Sequence, residues 1–267
     1  MLEINKIYNM DCVEGMKMLD DDCIDCVVTS PPYDNLRSYD GVGETWNFEK
    51  FKQVAEQITR VLKPGGVCVW IVGDSTIEGS ETCTSFKQAI HFKEVCGLKL
   101  HDTMIWEKIS PFTHKNRYIA NFEYMFVLSK DTPKTSNLIC DRKNIHGGTK
   151  IHGTMRNDGN NLSDVRNKGK LIKEYGVRLN TWNIPPDTKN KTGHPAVFPE
   201  NLAADHIKTW TNEGDLVLDP FMGSGTTAVA CLHNDRNYIG FEMNAEYWNI
   251  SERRVKIEAF NKTGKLF

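Results

Sequence analysis

Leu216-Val217-Leu218-Asp219-Pro220-Phe221-Met222-Gly223-Ser224-Gly225-Thr226-Thr227-Ala228 is the segment that most restricts how this chain can fold. An apolar run ends on an acid, a glycine-bearing turn follows, and residues 226–232 read as a helix. Glycine lets the backbone pass close to a ligand, and the first turn of a helix offers N–H groups to an anion. Glu242 lies 23 residues beyond Asp219, at the end of the next strand-like run. An acid there can bind the two ribose hydroxyls of an adenosine ligand. Such turns belong to open, mostly parallel sheets, yet only 48 residues follow Asp219 in a chain of 267. The remaining strands must therefore come from earlier in the sequence, in a permuted order. Gly223-Ser224-Gly225-Thr226-Thr227-Ala228 also fits the G-x-G-x-x-G/A fingerprint of nicotinamide enzymes, but a dinucleotide fold usually opens with that turn. Its late position argues against an oxidoreductase.

Earlier strand-like runs occur at residues 26–29, 67–72, 104–106 and 124–128, with 238–242 after the glycine turn. Phe51, Val54, Ala55, Ile58, Val61 and Leu62 recur at threes and fours, one face of a helix. Lys63-Pro64-Gly65-Gly66 stops that helix and turns into the next strand. Trp70, Trp106 and Phe126 lie in apolar runs and are expected in the core. Strand alternating with helix predicts an α/β architecture, a mostly parallel sheet with helices on both faces. Residues 130–190 differ, being polar, rich in Asn, Gly and Lys, and nearly aperiodic. They read as an insertion at one edge of the sheet. No internal repeat is visible in the sequence.

Thr29-Ser30-Pro31-Pro32-Tyr33 closes the first of these runs, at the edge where open parallel sheets bind ligands. Two prolines cannot continue a ladder, so the backbone leaves the sheet and exposes the Pro31 carbonyl beside a serine and an aromatic ring. Taken alone, this fits a rigid strand-to-loop turn equally well. Its chemistry, however, suits activation of an amino group. The exocyclic amino nitrogen of cytosine or adenine is a weak nucleophile, because its lone pair is delocalised into the ring. Accepting hydrogen bonds from both amino hydrogens, at Ser30 Oγ and the Pro31 carbonyl, draws the nitrogen toward tetrahedral geometry and frees that pair. A strong base is unnecessary, since the nitrogen becomes acidic once it is alkylated. Tyr33 can stack on the base, a contact worth about 1–3 kcal/mol. The base must be extruded from its helix to reach such a pocket.

Composition excludes little: 39% hydrophobic and 25% charged residues are ordinary for a soluble domain. No stretch approaches the roughly 18 apolar residues of a membrane span, and residues 1–12 lack a signal-peptide pattern. A soluble cytoplasmic protein with reduced cysteines is expected. Cys23-Ile24-Asp25-Cys26 has no second pair to complete a metal site, and Cys140, His146 and His152 read as surface residues, so no metal is expected. The net charge of −2 does not announce a nucleic-acid binder. Residues 142–173 nevertheless hold eight Lys/Arg against two acids, Asp158 and Asp164. That excess becomes informative beside the two motifs.

In this order, Ser30-Pro31-Pro32-Tyr33 and, far downstream, Asp219-Pro220-Phe221-Met222-Gly223-Ser224-Gly225-Thr226-Thr227 resemble the amino-group DNA methyltransferases of bacteria and their phages. The motif order resembles their β group, and the resemblance covers most of the chain. It implies a Rossmann-like fold with a mostly parallel seven-stranded sheet, S-adenosylmethionine as cofactor and double-stranded DNA as substrate. Residues 1–129 would form the catalytic half, 130–190 a target-recognition insertion, and 191–267 the cofactor-binding half. Ser30, Pro31, Pro32 and Tyr33 would be catalytic. Asp11 and Cys12 resemble the segment near the cofactor's adenine, although the family more often has Gly before that Asp. His194 and Phe198 resemble a further cofactor-binding segment. Asp219 matches an acid near the methionine amino group and Glu242 the ribose acid. Ser30, Pro220, Phe221, Gly223, Ser224, Gly225, Thr226 and Met243 complete that site. Arg37, Arg142, Lys143, Lys150, Arg156, Arg166 and Lys168 would contact DNA. A homodimer and a cognate restriction endonuclease are compatible partners.

Serine before Pro-Pro-Tyr is commoner in the cytosine enzymes of this family, and aspartate in the adenine ones. The resemblance thus points to N4 of cytosine, with N6 of adenine as the alternative. Methylation at carbon 5 needs a thiolate that follows a proline in that family, and no Pro-Cys dipeptide occurs here. Amino-group methyltransferases of RNA or protein place the glycine turn first. A non-enzymatic DNA-binding protein would need the basic insertion but no cofactor site.

Overall fold

The computed structural model describes residues 2–32, 46–108, 116–156, 159–186 and 198–264. Two compact units emerge, one of Met1–Asn137 with Asn180–Phe267 and one of Leu138–Leu179. In the larger unit β1 (Lys6–Tyr8), α1 (Cys12–Lys17) and β2 (Ile24–Thr29) lead to α2 (Phe48–Val61) and β3 (Leu62–Val72). A short hairpin, β4 (Thr76–Ile77) and β5 (Ser80–Glu81), precedes α3 (Thr84–Glu94), β6 (Lys99–Glu107) and β7 (Phe122–Ser129). The smaller unit holds β8 (Arg142–Lys143), β9 (Thr154–Arg156), β10 (Leu162–Asp164) and β11 (Tyr175–Gly176). The larger unit resumes with β12 (Thr181–Asn183), α4 (Glu200–Trp210), β13 (Leu216–Asp219), α5 (Thr226–His233), β14 (Asn237–Phe241) and α6 (Ala245–Thr263).

The main sheet has the order β1-β14-β13-β2-β3-β7-β6-β12. Only β7 runs against its neighbours; the other pairings are parallel. The permuted order is direct: β13 and β14, late in the chain, sit between β1 and β2. Eight strands form the sheet, not seven, because three-residue strands occupy both edges. One of these, β12, pairs Trp182 with Trp106 of β6. The expected insertion of 130–190 is therefore wider than the compact unit 138–179, as three residues are too few to show a periodicity.

Successive residues of a strand face opposite ways, so strands covered on both faces read as unbroken apolar runs. Cys26, Val28, Val69 and Val127 face one way and pack with Ile207, Val229 and Val255 of α4, α5 and α6. Val27, Cys68, Trp70 and Phe126 face the other way, against Val13, Ile58 and Phe92 of α1, α2 and α3. The helical face read from the sequence, Phe51, Val54, Ala55, Ile58 and Val61, is the buried face of α2. Residues 63–66 do not end the pairing of β3 but bulge from it, as the register steps from Ile24–Leu62 to Cys26–Val67.

The smaller unit is one long hairpin. β8 pairs with β11 and β9 with β10, both antiparallel, with a Lys150–Leu171 bridge between them. Each strand also gives out a four-residue turn, at residues 145–148 and 166–169. The backbone hydrogen bonds repeat with an offset of 21 residues. Gly148 N donates to Ile172 O at 2.9 Å, as Gly169 N does to Ile151 O at 2.8 Å. Ile151 N donates to Lys170 O and Ile172 N to Thr149 O, both at 2.8 Å. This is an internal repeat of the backbone. Across 142–156 and 163–177 only Gly148/Gly169 and Ile151/Ile172 are identical, which is why the sequence does not display it.

Candidate functional site

β2 and β13 lie side by side, and the chain leaves them in opposite directions along the sheet, toward β3 and β14. A crevice opens beyond the carboxyl ends of strands at such a switch point. Asp219, at the end of β13, is 1% exposed. Thr29 Oγ1 donates to its Oδ1 at 2.6 Å, the Phe221 amide to the same oxygen at 3.0 Å, and Thr227 Oγ1 to Oδ2 at 2.6 Å. Burial pushes its carboxyl up to about 6, with Thr227, Thr29 and the Phe221 amide pulling the other way. Asp219 thus clamps β2, β13 and the first turn of α5 together. The carboxylate that the sequence places near a cofactor is held in position by these three internal donors.

The crevice itself encloses about 950 Å³, open solvent included. Ser30, Pro31 and Pro32 line it from β2, and Pro220, Phe221, Gly223, Ser224 and Thr226 from the turn after β13. Glu242 and Met243 enter beyond β14, Asp11 and Cys12 from the start of α1, and Phe198 ahead of α4. Two segments nearly 190 residues apart therefore face one cavity. Gly225 stands behind this wall as the N-cap of α5, at φ +85°, where a side chain would be strained and would press on Ser251 Cβ.

Glu242 joins the two sides of the turn. Its Oε2 accepts the Gly223 amide at 2.9 Å and its Oε1 the Asn244 amide at 2.8 Å. Burial raises its pKa, opposed by these backbone donors. A carboxylate holding two amides keeps lone pairs for two further donors, as a ribose diol requires. Ser224 is 2% exposed, and its Oγ has no hydrogen-bond partner among the described residues. A buried hydroxyl on a cavity wall fits a polar ligand group. Asp11 caps α1, accepting from Val13 N at 2.9 Å, while its Oδ2 lies 2.7 Å from Lys50 Nζ. Cys12 has its thiol pushed up to about 12 by burial and by neighbouring Asp11, so it remains protonated. Trp46 meets Phe221 edge-on at 5.2 Å, giving the cleft an aromatic flank.

Several lining residues escape sequence reasoning: Trp46, Lys50, Phe241, Asn244 and Tyr247. Asn244 had a local signal, since it caps α6 by accepting from Glu246 N and Tyr247 N. Lys50 had none; it reaches the cleft from α2 through long-range packing. Arg254 of α6 also supports the turn, donating to Thr226 Oγ1 at 3.0 Å. Tyr33, Arg37 and His194 lie outside the described residues. Arg142, Lys143, Lys150, Arg156, Arg166 and Lys168 are all exposed in the smaller unit, Lys168 paired with Asp164 at 2.6 Å. No described group of His, Cys, Asp and Glu could hold a metal ion, and no described helix is long and apolar enough to cross a membrane.

Residues 24–253 match the DNA methylase family of the N6/N4 type. The orphan methyltransferase M.BamHII of Bacillus amyloliquefaciens is 52% identical over 246 residues, which cover 88% of this chain and 90% of that protein. Among solved structures, the cytosine-N4-specific PvuII DNA methyltransferase superposes with a TM-score of 0.70 at 22% identity, covering 93% of this chain and 85% of that one. The M1.HpyAVI–SAM complex gives 0.60 at 24% identity, over 94% and 98%. The solved structures share the fold; the sequence match carries further, and by it this chain belongs to the N6/N4 DNA methylase family.

Proposed function

We propose that the protein transfers a methyl group from S-adenosylmethionine to the N4 amino group of cytosine in double-stranded DNA, the N6 amino group of adenine being the alternative. One observation carries the reading: Ser30, Pro31 and Pro32 share a cleft with the glycine turn and Glu242. The unpartnered, buried Ser224 hydroxyl and the Glu242 carboxylate suit a cofactor with a polar tail and a ribose. Asp11, Cys12, Phe198, Phe221 and Met243 surround its nucleoside in this reading, with Lys50 beside Asp11. Asp219 acts from behind, by holding the turn.

When bound, S-adenosylmethionine would supply an electrophilic methyl group on a sulfonium centre, the methyl–sulfur bond breaking to leave a neutral thioether. The chain's own part is to prepare the acceptor. Ser30 Oγ and the Pro31 carbonyl accept hydrogen bonds from the two amino N–H groups of an extruded base, and the nitrogen lone pair is freed to form the new bond. The nitrogen then releases a proton without a strong base. Tyr33 stacks on the ring, and the basic residues of the smaller unit hold the DNA backbone. The choice of cytosine rests on serine standing before Pro31 and is supported by the cytosine-N4 specificity of the PvuII enzyme, whose fold this chain shares.

Methyl transfer from labelled S-adenosylmethionine to mixed-sequence duplex DNA, followed by nucleoside mass spectrometry, tests this. N4-methylcytosine is expected. N6-methyladenine would keep the mechanism and change the base, whereas label in RNA or protein would move the substrate class.

A further inference from the structure

The two turns of the smaller unit are equivalent in backbone and opposite in chemistry. Gly147 N donates to Asn144 O at 3.2 Å in the first, and Lys168 N to Val165 O at 3.1 Å in the second. Thr149 N donates to His146 O at 3.2 Å, and Lys170 N to Asn167 O at 3.0 Å. The repeat sets Ile145 against Arg166, Gly147 against Lys168 and Thr149 against Lys170. The second turn thus carries three exposed cations, while residues 145–149 of the first carry no lysine or arginine. At its tip stands Ile145, 94% exposed.

An isolated β-branched side chain in water gains nothing in the free protein. In a DNA groove it can meet a thymine methyl or a base step, while His146 beside it can hydrogen-bond a base edge. Lysine and arginine at equivalent backbone positions suit phosphates, which position a protein without reading sequence. Resting on the reading that the smaller unit binds duplex DNA, we propose that its two turns divide that task. The turn of residues 166–170 grips the backbone through Arg166, Lys168 and Lys170. The turn of residues 145–149 reads bases through Ile145 and His146. Asp164, which pairs with Lys168, leaves Arg166 and Lys170 as the stronger phosphate contacts.

Two variants separate the roles: Arg166→Gln/Lys168→Gln/Lys170→Gln and Ile145→Ala/His146→Ala. All five side chains are exposed, so folding is expected to persist, as thermal unfolding would check. For each, affinity for a mixed-sequence duplex is measured against salt, and the sequences around methylated bases are read from a random duplex pool. The triple variant should weaken binding to every duplex and flatten the log–log salt dependence by about three. Its sequence preference should be unchanged. The double variant should keep the salt slope and lose about tenfold or more in discrimination at one or two base positions. Equal effects of both variants on slope and preference, or the reverse pattern, would overturn the division. If neither variant changes affinity, slope or preference while methyl transfer continues, the smaller unit is not the DNA-binding surface, and the underlying assignment fails with it.

Discussion

The Thr29 hydroxyl donates to the Asp219 carboxylate over 2.6 Å, joining the carboxyl ends of two adjacent strands that stand 190 residues apart in sequence. Ser30 follows one residue and Pro220 the other, so this bond sets the Ser30-Pro31-Pro32 segment against the glycine turn. Thr29→Val keeps the shape and removes the donor. It should destabilise the fold by about 1–3 kcal/mol, because a buried carboxylate loses one of its donors. Urea unfolding measures this. Thr29→Ser should recover most of the loss, and an unaltered Thr29→Val protein would show that the clamp contributes nothing.

Ser30→Ala removes one of the two acceptors assigned to the amino group. Turnover should fall by about 100-fold, on the scale of deleting one preorganised hydrogen-bonding group. Cofactor affinity, measured by calorimetry, should stay nearly intact. Methylation at the parent rate would place the chemistry elsewhere.

Glu242→Gln retains shape but replaces the charge that faces the cleft. Hydrogen bonds to a charged group are worth about 1.5–3 kcal/mol, so S-adenosylmethionine should bind about 10- to 100-fold more weakly. DNA affinity should change little. A variant that binds cofactor normally would remove Glu242 from the ribose role and leave it as a brace for Gly223.

Stability should depend on pH through Asp219. Its carboxyl rises from 3.8 to about 6 in the folded protein, mainly through burial. The folded state therefore holds the proton longer than the unfolded one. This contribution is fully present below pH 3.8 and is lost as pH climbs through about 6, a swing of roughly 3 kcal/mol. Glu242, also raised by burial, acts in the same direction. Denaturation of Asp219→Asn across this range should show a flatter profile than the parent; an identical profile would mean that Asp219 does not titrate there.

Thiol chemistry should be dispensable. Cys12 and Cys26 are buried with raised pKa values, whereas Cys83 and Cys140 are exposed. Neutral alkylation should label Cys83 and Cys140 first and leave methyl transfer intact. Loss of activity in step with that labelling would contradict a mechanism built on amino-group activation.

Much of this protein was legible in its residues. Apolar runs announced β2, β3, β7, β13 and β14, the spacing of Phe51 to Val61 announced α2, and the place of the glycine turn announced the permuted sheet. Two motifs indicated the cleft, because strand ends and helix starts are local events governed by periodicity, proline and glycine. What lay beyond reach depends on which distant groups meet. β12 is three residues long and gains its place only by pairing with β6. Lys50 reaches Asp11 across helix packing, and Asp219 gains its three donors only where β2, β13 and α5 meet. The two-fold backbone of residues 142–156 and 163–177 left almost no trace in side chains, since hydrogen-bond register repeats there while chemistry does not. The sequence by itself determined the local elements and the chemistry they can carry. The tertiary structure decided burial and partners, because both arise from long-range contacts that no local pattern encodes.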